Sequence, residues 1–203
     1  FPEVPSELKK AVLKYMQEME QLGHIIMKGV ALSLGLEPDF FQVNMTYDPT
    51  LLFRLFHYPR QKSNSDNWGV GAHTDYGLLT ILKQDENGGL EIYTGNKWIQ
   101  APPIKNTFIC NIGDMLDKMT GGLYKSTLHR VKNTSGKDRL SFPFFFDPAF
   151  DASMQKIKYE NTDQNDTQQR WDQSDIYAFE GTYGDYLMGK VSKVFPGLKS
   201  NLD

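Results

Sequence analysis

The stretch VGAHTDYGLLT, residues 70–80, decides the fold because it carries a histidine and an aspartate at the start of a strand-like run. His73 and Asp75 are two positions apart, and the period of two in an extended chain places both side chains on one face. Both side chains can therefore bind one ion. For the pair alone, the alternative is a turn capped by Asp75 beside a hydrogen-bonded histidine, so further ligands must be sought in the rest of the chain.

Short β-type runs on both sides of this stretch predict an all-β sandwich or barrel. Each run is bounded by Gly, Pro, Asn or Asp, which are the turn residues of closely spaced strands. The runs are LLFRLFHYP (51–59), LLTILKQD (78–85), GLEIYT (89–94), KWIQAPP (97–103), TFICNIGD (107–114), STLHRVKN (126–133) and RLSFPFFFD (139–147). Strands therefore dominate the centre of the chain.

Helices are predicted near both ends of the sequence. Between Leu8 and Val30 apolar residues recur every three or four positions, which is typical of an amphipathic helix. Ser6 is expected to cap its start and Gly35 to end it. Further helical stretches are EPDFF (37–41) and TYGDYLMGKVSKVF (182–195), whereas the polar stretch 159–175 is expected to be a solvated excursion. A β core flanked by helices follows.

A third ligand is expected from His129, which lies in the alternating run STLHRVKN. A distant strand of a closed β-structure can bring this imidazole to the side of the ion opposite His73 and Asp75. Two neutral imidazoles and one carboxylate on one face of a metal, with the other positions open, are typical of non-haem Fe(II) oxygenases. We therefore interpret these three residues as metal ligands.

Arg139 and Ser141 are two apart in RLSFPFFFD, so they share one face of the next strand. The intervening NTSGKD (133–138) is rich in hairpin-turn residues and predicts that this strand pairs with the strand of His129. A guanidinium inside a barrel that already holds a cation requires an anion, and a dicarboxylate co-substrate fits. The alternative is a structural ion pair of Arg139 with Asp114 or Asp138.

The ordered set of HTD at 73–75, His129 and RLS at 139–141 resembles the His-x-Asp, His, Arg-x-Ser signature of the 2-oxoglutarate- and Fe(II)-dependent dioxygenases. The segments HYP, GAHTDYGLLT, NIGDML, STLHRV and YGDYL are similar to the isopenicillin N synthase-like branch. The resemblance implies a double-stranded β-helix, or jelly roll, and a single dioxygenase domain over residues 1–203. That family normally has an N-terminal strand and helix before the segment that begins here, and we find no candidate for them.

The resemblance also implies roles for individual residues. Fe(II) would be held by the three ligands named above, and 2-oxoglutarate (2OG) by Arg139, Ser141 and Tyr58. For Tyr58 the alternative is a core aromatic without a binding role. Phe145 would pack on the substrate, and the alternation in its strand places it on the face of Arg139.

Two further aromatic residues are expected to shape the substrate pocket. Tyr76 directly follows the His-x-Asp pair and is assigned to its wall. Phe56 stands where this family usually has an asparagine, so the inner wall is expected to differ from that of other members.

The implied activity is hydroxylation or desaturation of a small organic molecule by O2, coupled to decarboxylation of 2OG to succinate. One alternative is an oxidase of the same branch that needs no 2OG and takes electrons from its substrate or from ascorbate. The other is a non-catalytic jelly-roll binding module.

Composition limits the partners and the cellular compartment. A net charge of −3 over 203 residues, with scattered lysines, gives no footprint for nucleic acid or an anionic membrane. Cys110 is the single cysteine, so an internal disulfide is excluded and a reducing compartment is favoured. The sequence lacks an apolar run long enough to span a bilayer. We expect a cytoplasmic enzyme with a small, weakly charged substrate.

Overall fold

Two antiparallel β-sheets form the centre of the part of the chain that a computed structural model describes, which is residues 1–60, 68–159 and 170–194. The helices are α1 (Leu8–Ser33), α2 (Phe40–Asn44), α3 (Asp114–Met119) and α4 (Tyr183–Val194). The strands are β1 (Thr50–Phe53), β2 (Phe56–Tyr58), β3 (Val70–His73), β4 (Leu79–Gln84), β5 (Leu90–Thr94), β6 (Lys97–Gln100), β7 (Ile109–Ile112), β8 (His129–Val131) and β9 (Arg139–Asp147). Each predicted β-type run thus contains a strand.

The chain passes repeatedly from one sheet to the other. The larger sheet has the order β1-β9-β4-β7, with β2 also paired to β9, and the smaller sheet has the order β3-β8-β5-β6. The chain therefore crosses between sheets after β2, β3, β4, β6, β7 and β8. This is the connectivity of a jelly roll, and the prediction of a mainly β fold with a double-stranded β-helix core is confirmed.

The predicted hairpin between the strands of His129 and Arg139 is wrong. Strand β8 pairs with β3 and β5 in the smaller sheet, whereas β9 pairs with β1, β2 and β4 in the larger one. The connection is held by Asn133, whose side-chain amide donates to the carbonyls of Tyr58 (3.0 Å) and Lys137 (2.7 Å). Turn residues specify that the chain reverses, but they do not specify which sheet the next strand joins.

Alternation along β9 separates the core from the interior between the sheets. Phe144 and Phe146 are fully buried in the main hydrophobic cluster, together with residues of α1. The ring of Phe146 lies 4.9 Å from that of His24 on α1. The residues that alternate with them on β9, Pro143 and Phe145, line the cavity described below. The β9 strand therefore anchors α1 with one face and builds the site with the other.

The observed ends of α1 agree only in part with the ends predicted from the sequence. Glu7, not Ser6, occupies the N-cap position, and its side chain forms no capping hydrogen bond in the described structure. The helix ends at Ser33, and Gly35 follows with a φ of 70°, the left-handed conformation that glycine adopts easily. None of the helices in the described part of the chain combines the length and apolar character needed to cross a bilayer.

Candidate metal centre and co-substrate pocket

His73, Asp75 and His129 meet where β3 ends and β8 begins. One donor atom from each residue can be chosen so that all three lie within 4.8 Å of one another. The two histidines are directly opposite on antiparallel strands, with ring centroids 4.2 Å apart. Asp75 Oδ1 is 3.8 Å from Nε2 of each histidine. The structure thus gathers two ring nitrogens and one carboxylate oxygen around one point.

The backbone fixes the tautomer of both imidazoles. Nδ1 of His73 lies 2.8 Å from the carbonyl of Gly71, and Nδ1 of His129 lies 2.8 Å from the carbonyl of Thr127. Because a carbonyl only accepts, each Nδ1 carries the proton and each Nε2 keeps its lone pair. Burial lowers the pKa of His73, and the neighbouring His129 lowers it further. The ring of His73 is therefore neutral at neutral pH, as metal binding requires.

The carboxylate of Asp75 is oriented by two residues that sequence reasoning missed. Its Oδ2 accepts hydrogen bonds from Thr80 Oγ1 (2.6 Å) and Asn111 Nδ2 (2.7 Å), which leaves Oδ1 facing the imidazoles. Thr80 and Asn111 are direct partners on β4 and β7. The only signal in the sequence is that each of the two is a polar residue between apolar neighbours in a strand-like run.

Glycines let the turn after Asp75 pack closely against its neighbours. A Cβ on Gly77 would lie 1.5 Å from Asp147 Oδ1, and a Cβ on Gly113 would lie 2.3 Å from the carbonyl oxygen of Gly77. The N–H of Asp114 donates to the carbonyl of Asp75 at 2.8 Å. This turn is therefore held between β9 and the start of α3.

Arg139 is completely buried and only partly satisfied. Its Nε donates to the carbonyl of Asn87 (3.2 Å) and its Nη2 to Gln84 Oε1 (2.7 Å). Its Nη1 is buried and has no hydrogen-bond partner among the residues that the structure describes. A buried cationic donor left unpaired is costly, so this atom calls for an acceptor.

The alternative ion pairs of Arg139 are wrong. Asp114 accepts a hydrogen bond from Arg170 instead (2.8 Å). Asp138 accepts one from the backbone N–H of Arg60 (2.8 Å), and its Oδ2 lies 3.1 Å from His57 Nε2.

Tyr58 and Ser141 are neighbours of Arg139 on the paired strands β2 and β9. Tyr58 is directly opposite Arg139 in the β2 and β9 pairing, and the guanidinium carbon lies 5.1 Å from the ring centroid. Burial raises the pKa of the Tyr58 hydroxyl, although the charge of Arg139 opposes this effect. The buried Ser141 faces Phe56 across the same strand pair. Tyr58, Ser141 and Phe56 all line one cavity.

That cavity has a volume of about 480 Å³ and contains the three metal-ligand candidates. Phe145 and Tyr76, which the sequence assigns to the substrate pocket, both line it, as does Phe56. One wall comes from α4, through Tyr183, Leu187, Val191 and Val194. The sequence predicts this helix but gives no sign that it closes the site.

Two further contacts join the C-terminal segment to the site. Tyr183 donates to Asp147 Oδ2 at 2.6 Å, and burial raises the pKa of Asp147 to about 7 despite that hydrogen bond. Arg170 donates to Thr74 Oγ1 (3.1 Å), between the two ligands of the His-x-Asp pair, as well as to Asp114. Arg170 lies in the stretch 159–175 that was expected to be solvated, yet its side chain is largely buried. Residues 160–169 of that stretch lie outside the described residues.

Comparison with known proteins relates this site to a family. Residues 49–148 match the family described as the 2OG-Fe(II) oxygenase superfamily. A probable iron/ascorbate oxidoreductase of Dictyostelium discoideum is 48% identical over 229 aligned residues, which cover all of this chain and 62% of that relative. A 1-aminocyclopropane-1-carboxylate oxidase of the same organism is 42% identical, over 93% of this chain and 60% of its own length.

Among solved structures, a full-length Neurospora crassa protein in complex with alpha-KG and 5-formyluracil superposes with a TM-score of 0.79 and 27% identity. The match covers 95% of this chain and 62% of that one. The present chain thus spans about three fifths of the length of the proteins it matches.

Proposed function

The chain belongs to the 2OG-Fe(II) oxygenase superfamily, and from this membership and the site geometry we propose that it is a non-haem iron oxygenase with 2OG as co-substrate. It would oxidise a small organic molecule by hydroxylation or desaturation. The observation that carries the proposal is the convergence of Asp75 Oδ1 with the Nε2 atoms of His73 and His129. We further propose that residues 1–203 belong to one oxygenase domain.

The donor set fits Fe(II). Two neutral imidazoles and one carboxylate, with the remaining positions open, are the ligands that this ion takes in such oxygenases. When bound, the iron supplies the activation of O2 that couples decarboxylation of 2OG to oxidation of the substrate. The task of the chain is to orient the ligands through Gly71, Thr127 and the Thr80 and Asn111 pair.

The environment of Arg139 fits a carboxylate of 2OG, which the Neurospora crassa structure contains under the name alpha-KG. Nη1, which has no partner among the described residues, is a buried, charged donor that a carboxylate oxygen would satisfy. Ser141 can add a hydroxyl donor. The raised pKa of Tyr58 keeps its hydroxyl protonated, so that it donates to the same anion.

The apolar composition of the cavity wall favours a small substrate with apolar or aromatic character. Phe145, Phe56 and the α4 residues Leu187 and Val191 surround the space beside the metal ligands. Such a wall excludes water and binds an apolar body through burial of its surface. The described residues that line the cavity include no cluster of basic side chains that would favour a nucleic acid or an anionic membrane.

Succinate formation tests the proposal. Purified chain supplied with Fe(II), 2OG and O2 is expected to form succinate, and Asp75→Ala is expected to lose this turnover together with most iron binding. His57→Gln is the matched control, because His57 is exposed and lies outside the ligand cluster. Wild-type rates in Asp75→Ala would overturn the ligand assignment.

A 2OG-independent oxidase is the second candidate. It is favoured by the names of two relatives, the iron/ascorbate oxidoreductase and the 1-aminocyclopropane-1-carboxylate oxidase. Oxygen consumption that depends on ascorbate and yields no succinate would select it. The complete set of three ligand candidates weighs against a non-catalytic binding module.

A further inference from the structure

Arg54 is the one lysine or arginine among the described residues that line the cavity. It continues the alternation of Thr50 and Leu52 along the edge of the larger sheet, and all three residues line the same wall. Its N–H donates to the carbonyl of Pro143 at 3.1 Å, which fixes the backbone at this point. Arg54 is also exposed, so it is accessible to solvent as well as lining the cavity.

No carboxylate in the described parts of the chain forms an ion pair with Arg54. The two aspartates that line the cavity are engaged elsewhere, Asp75 with the imidazoles and its two hydrogen-bond donors, and Asp147 with Tyr183. The guanidinium carbon lies 4.8 Å from the ring centroid of Phe56. This contact holds the cation in place without neutralising its charge.

Arg54 is separate from the anion site proposed for 2OG. On β9, Arg54 lies beside Pro143, whereas Tyr58 lies beside Arg139. Four residues of extended strand separate the two positions by about 13 Å. A carboxylate bound by Arg139 therefore leaves Arg54 available for a second anionic group.

The surroundings of Arg54 are apolar. Leu52, Phe56 and Pro143 flank it on the sheet, and Leu187 and Val191 of α4 line the cavity as well. The molecule complementary to this wall has one anionic end and an apolar or aromatic body. A carboxylate matches the planar, two-pronged guanidinium better than other common anionic groups of small metabolites that lack phosphate.

We propose that Arg54 binds the carboxylate of the substrate, and that this oxygenase acts on small carboxylic acids with an apolar or aromatic body. The inference rests on the proposed function, because it assigns the substrate class of the same cavity. It refines the expectation of a weakly charged substrate. Arg54 would select the acid over neutral molecules of the same shape.

Matched pairs of acids and primary amides test this inference. The probes are 3-phenylpropanoate, indole-3-butanoate and octanoate, each with its amide, titrated into the chain loaded with Fe(II) and 2OG under anaerobic conditions. At least one acid is expected to bind roughly ten- to a hundredfold more tightly than its amide, since a charge-assisted hydrogen bond is lost in the amide. Arg54→Gln is expected to abolish that preference, and Arg54→Lys to restore part of it.

Iron and 2OG affinities measured on the same samples separate the two proposals. Both affinities are expected to stay unchanged in Arg54→Gln. The matched control for the acid preference is Arg60→Gln, because Arg60 is an exposed arginine outside the cavity lining. If no acid binds more tightly than its amide, or if the preference survives in Arg54→Gln, the role of Arg54 is wrong while the proposed function stands. If the wild type binds neither iron nor 2OG, the proposed function fails and this inference with it.

Discussion

At the scale of single residues, the candidate site depends on atoms that never touch the metal. The carbonyls of Gly71 and Thr127 decide which nitrogen of each histidine is free, and Thr80 and Asn111 decide which oxygen of Asp75 is free. Such outer partners typically change metal affinity or activity by roughly 10- to 100-fold when they are removed. The ligand geometry is therefore a property of several strands and turns, and not of the three ligands alone.

Asn111→Ala is expected to weaken Fe(II) binding by roughly 10- to 100-fold, because Asp75 Oδ2 loses one of its two donors and the carboxylate can rotate. Affinity is measured by competition with a chelating dye. The matched control is Cys110→Ser, the preceding residue, whose side chain is exposed. Equal iron affinity in both variants would show that Asn111 does not orient the ligand.

Asp147 makes stability depend on pH. Its folded pKa of about 7 exceeds the ordinary value of 3.8, mainly through burial, so between these values the folded chain retains a proton that the unfolded chain has lost. The stabilising contribution is complete below the unfolded pKa and is lost as pH rises towards the folded pKa. The free energy of unfolding therefore falls by at most about 1.4 kcal/mol per pH unit through this group.

Urea unfolding of the metal-free chain at several pH values checks this prediction. The wild type is expected to lose stability between about pH 4 and pH 7 relative to Asp147→Asn, whose neutral amide cannot titrate. A difference between the two proteins that stays constant with pH would show that Asp147 is ionised in the folded state.

At the scale of elements, α1 offers a direct test of how closely it packs on the larger sheet. A Cβ on Gly23 would lie 2.7 Å from the ring of Phe146, whereas a Cβ on Gly29 would meet no atom within 4 Å. Gly23→Ala is expected to destabilise the fold by about 1–3 kcal/mol through overpacking. Gly29→Ala is expected to stabilise it by about 0.5–1 kcal/mol, because alanine favours the helix.

The free energies of unfolding of the two alanine variants, measured in urea, provide the comparison. Each variant serves as the control for the other, since both place the same residue in the same helix. Equal effects of the two substitutions would mean that α1 does not lie against Phe146.

Elements with a local signature were predictable from the sequence, and their partners were not. The ligand candidates His73 and Asp75 follow from a spacing of two, and the core helix from its apolar period. The pairing of β8 was misjudged because its neighbours β3 and β5 are determined by the closure of the whole smaller sheet. The cavity wall from α4 and the buried Arg170 arise from contacts between distant segments, which local pattern cannot reveal.

At the scale of the whole molecule, the net charge of the chain does not reveal the two arginines to which the proposals assign anions. The chain carries a net charge of −3, yet Arg54 lines the cavity and Arg139 is buried beside Tyr58, and among the described residues neither arginine has a carboxylate partner. The net charge therefore argues against binding of polyanions, but it does not predict whether the site prefers an anionic ligand. Under the two proposals, Arg139 would bind the dicarboxylate co-substrate and Arg54 would bind the acidic substrate.

Anaerobic binding of Fe(II) and then of 2OG tests the central claim most directly, because it needs no knowledge of the substrate. The wild type is expected to bind one Fe(II) per chain and then 2OG, with the visible charge-transfer absorption of a 2-oxoacid bound to Fe(II). Asp75→Ala is expected to lose the iron, and Arg139→Leu to keep the iron while its affinity for 2OG falls at least about tenfold. Iron binding unchanged by Asp75→Ala, or 2OG binding unchanged by Arg139→Leu, would contradict the account.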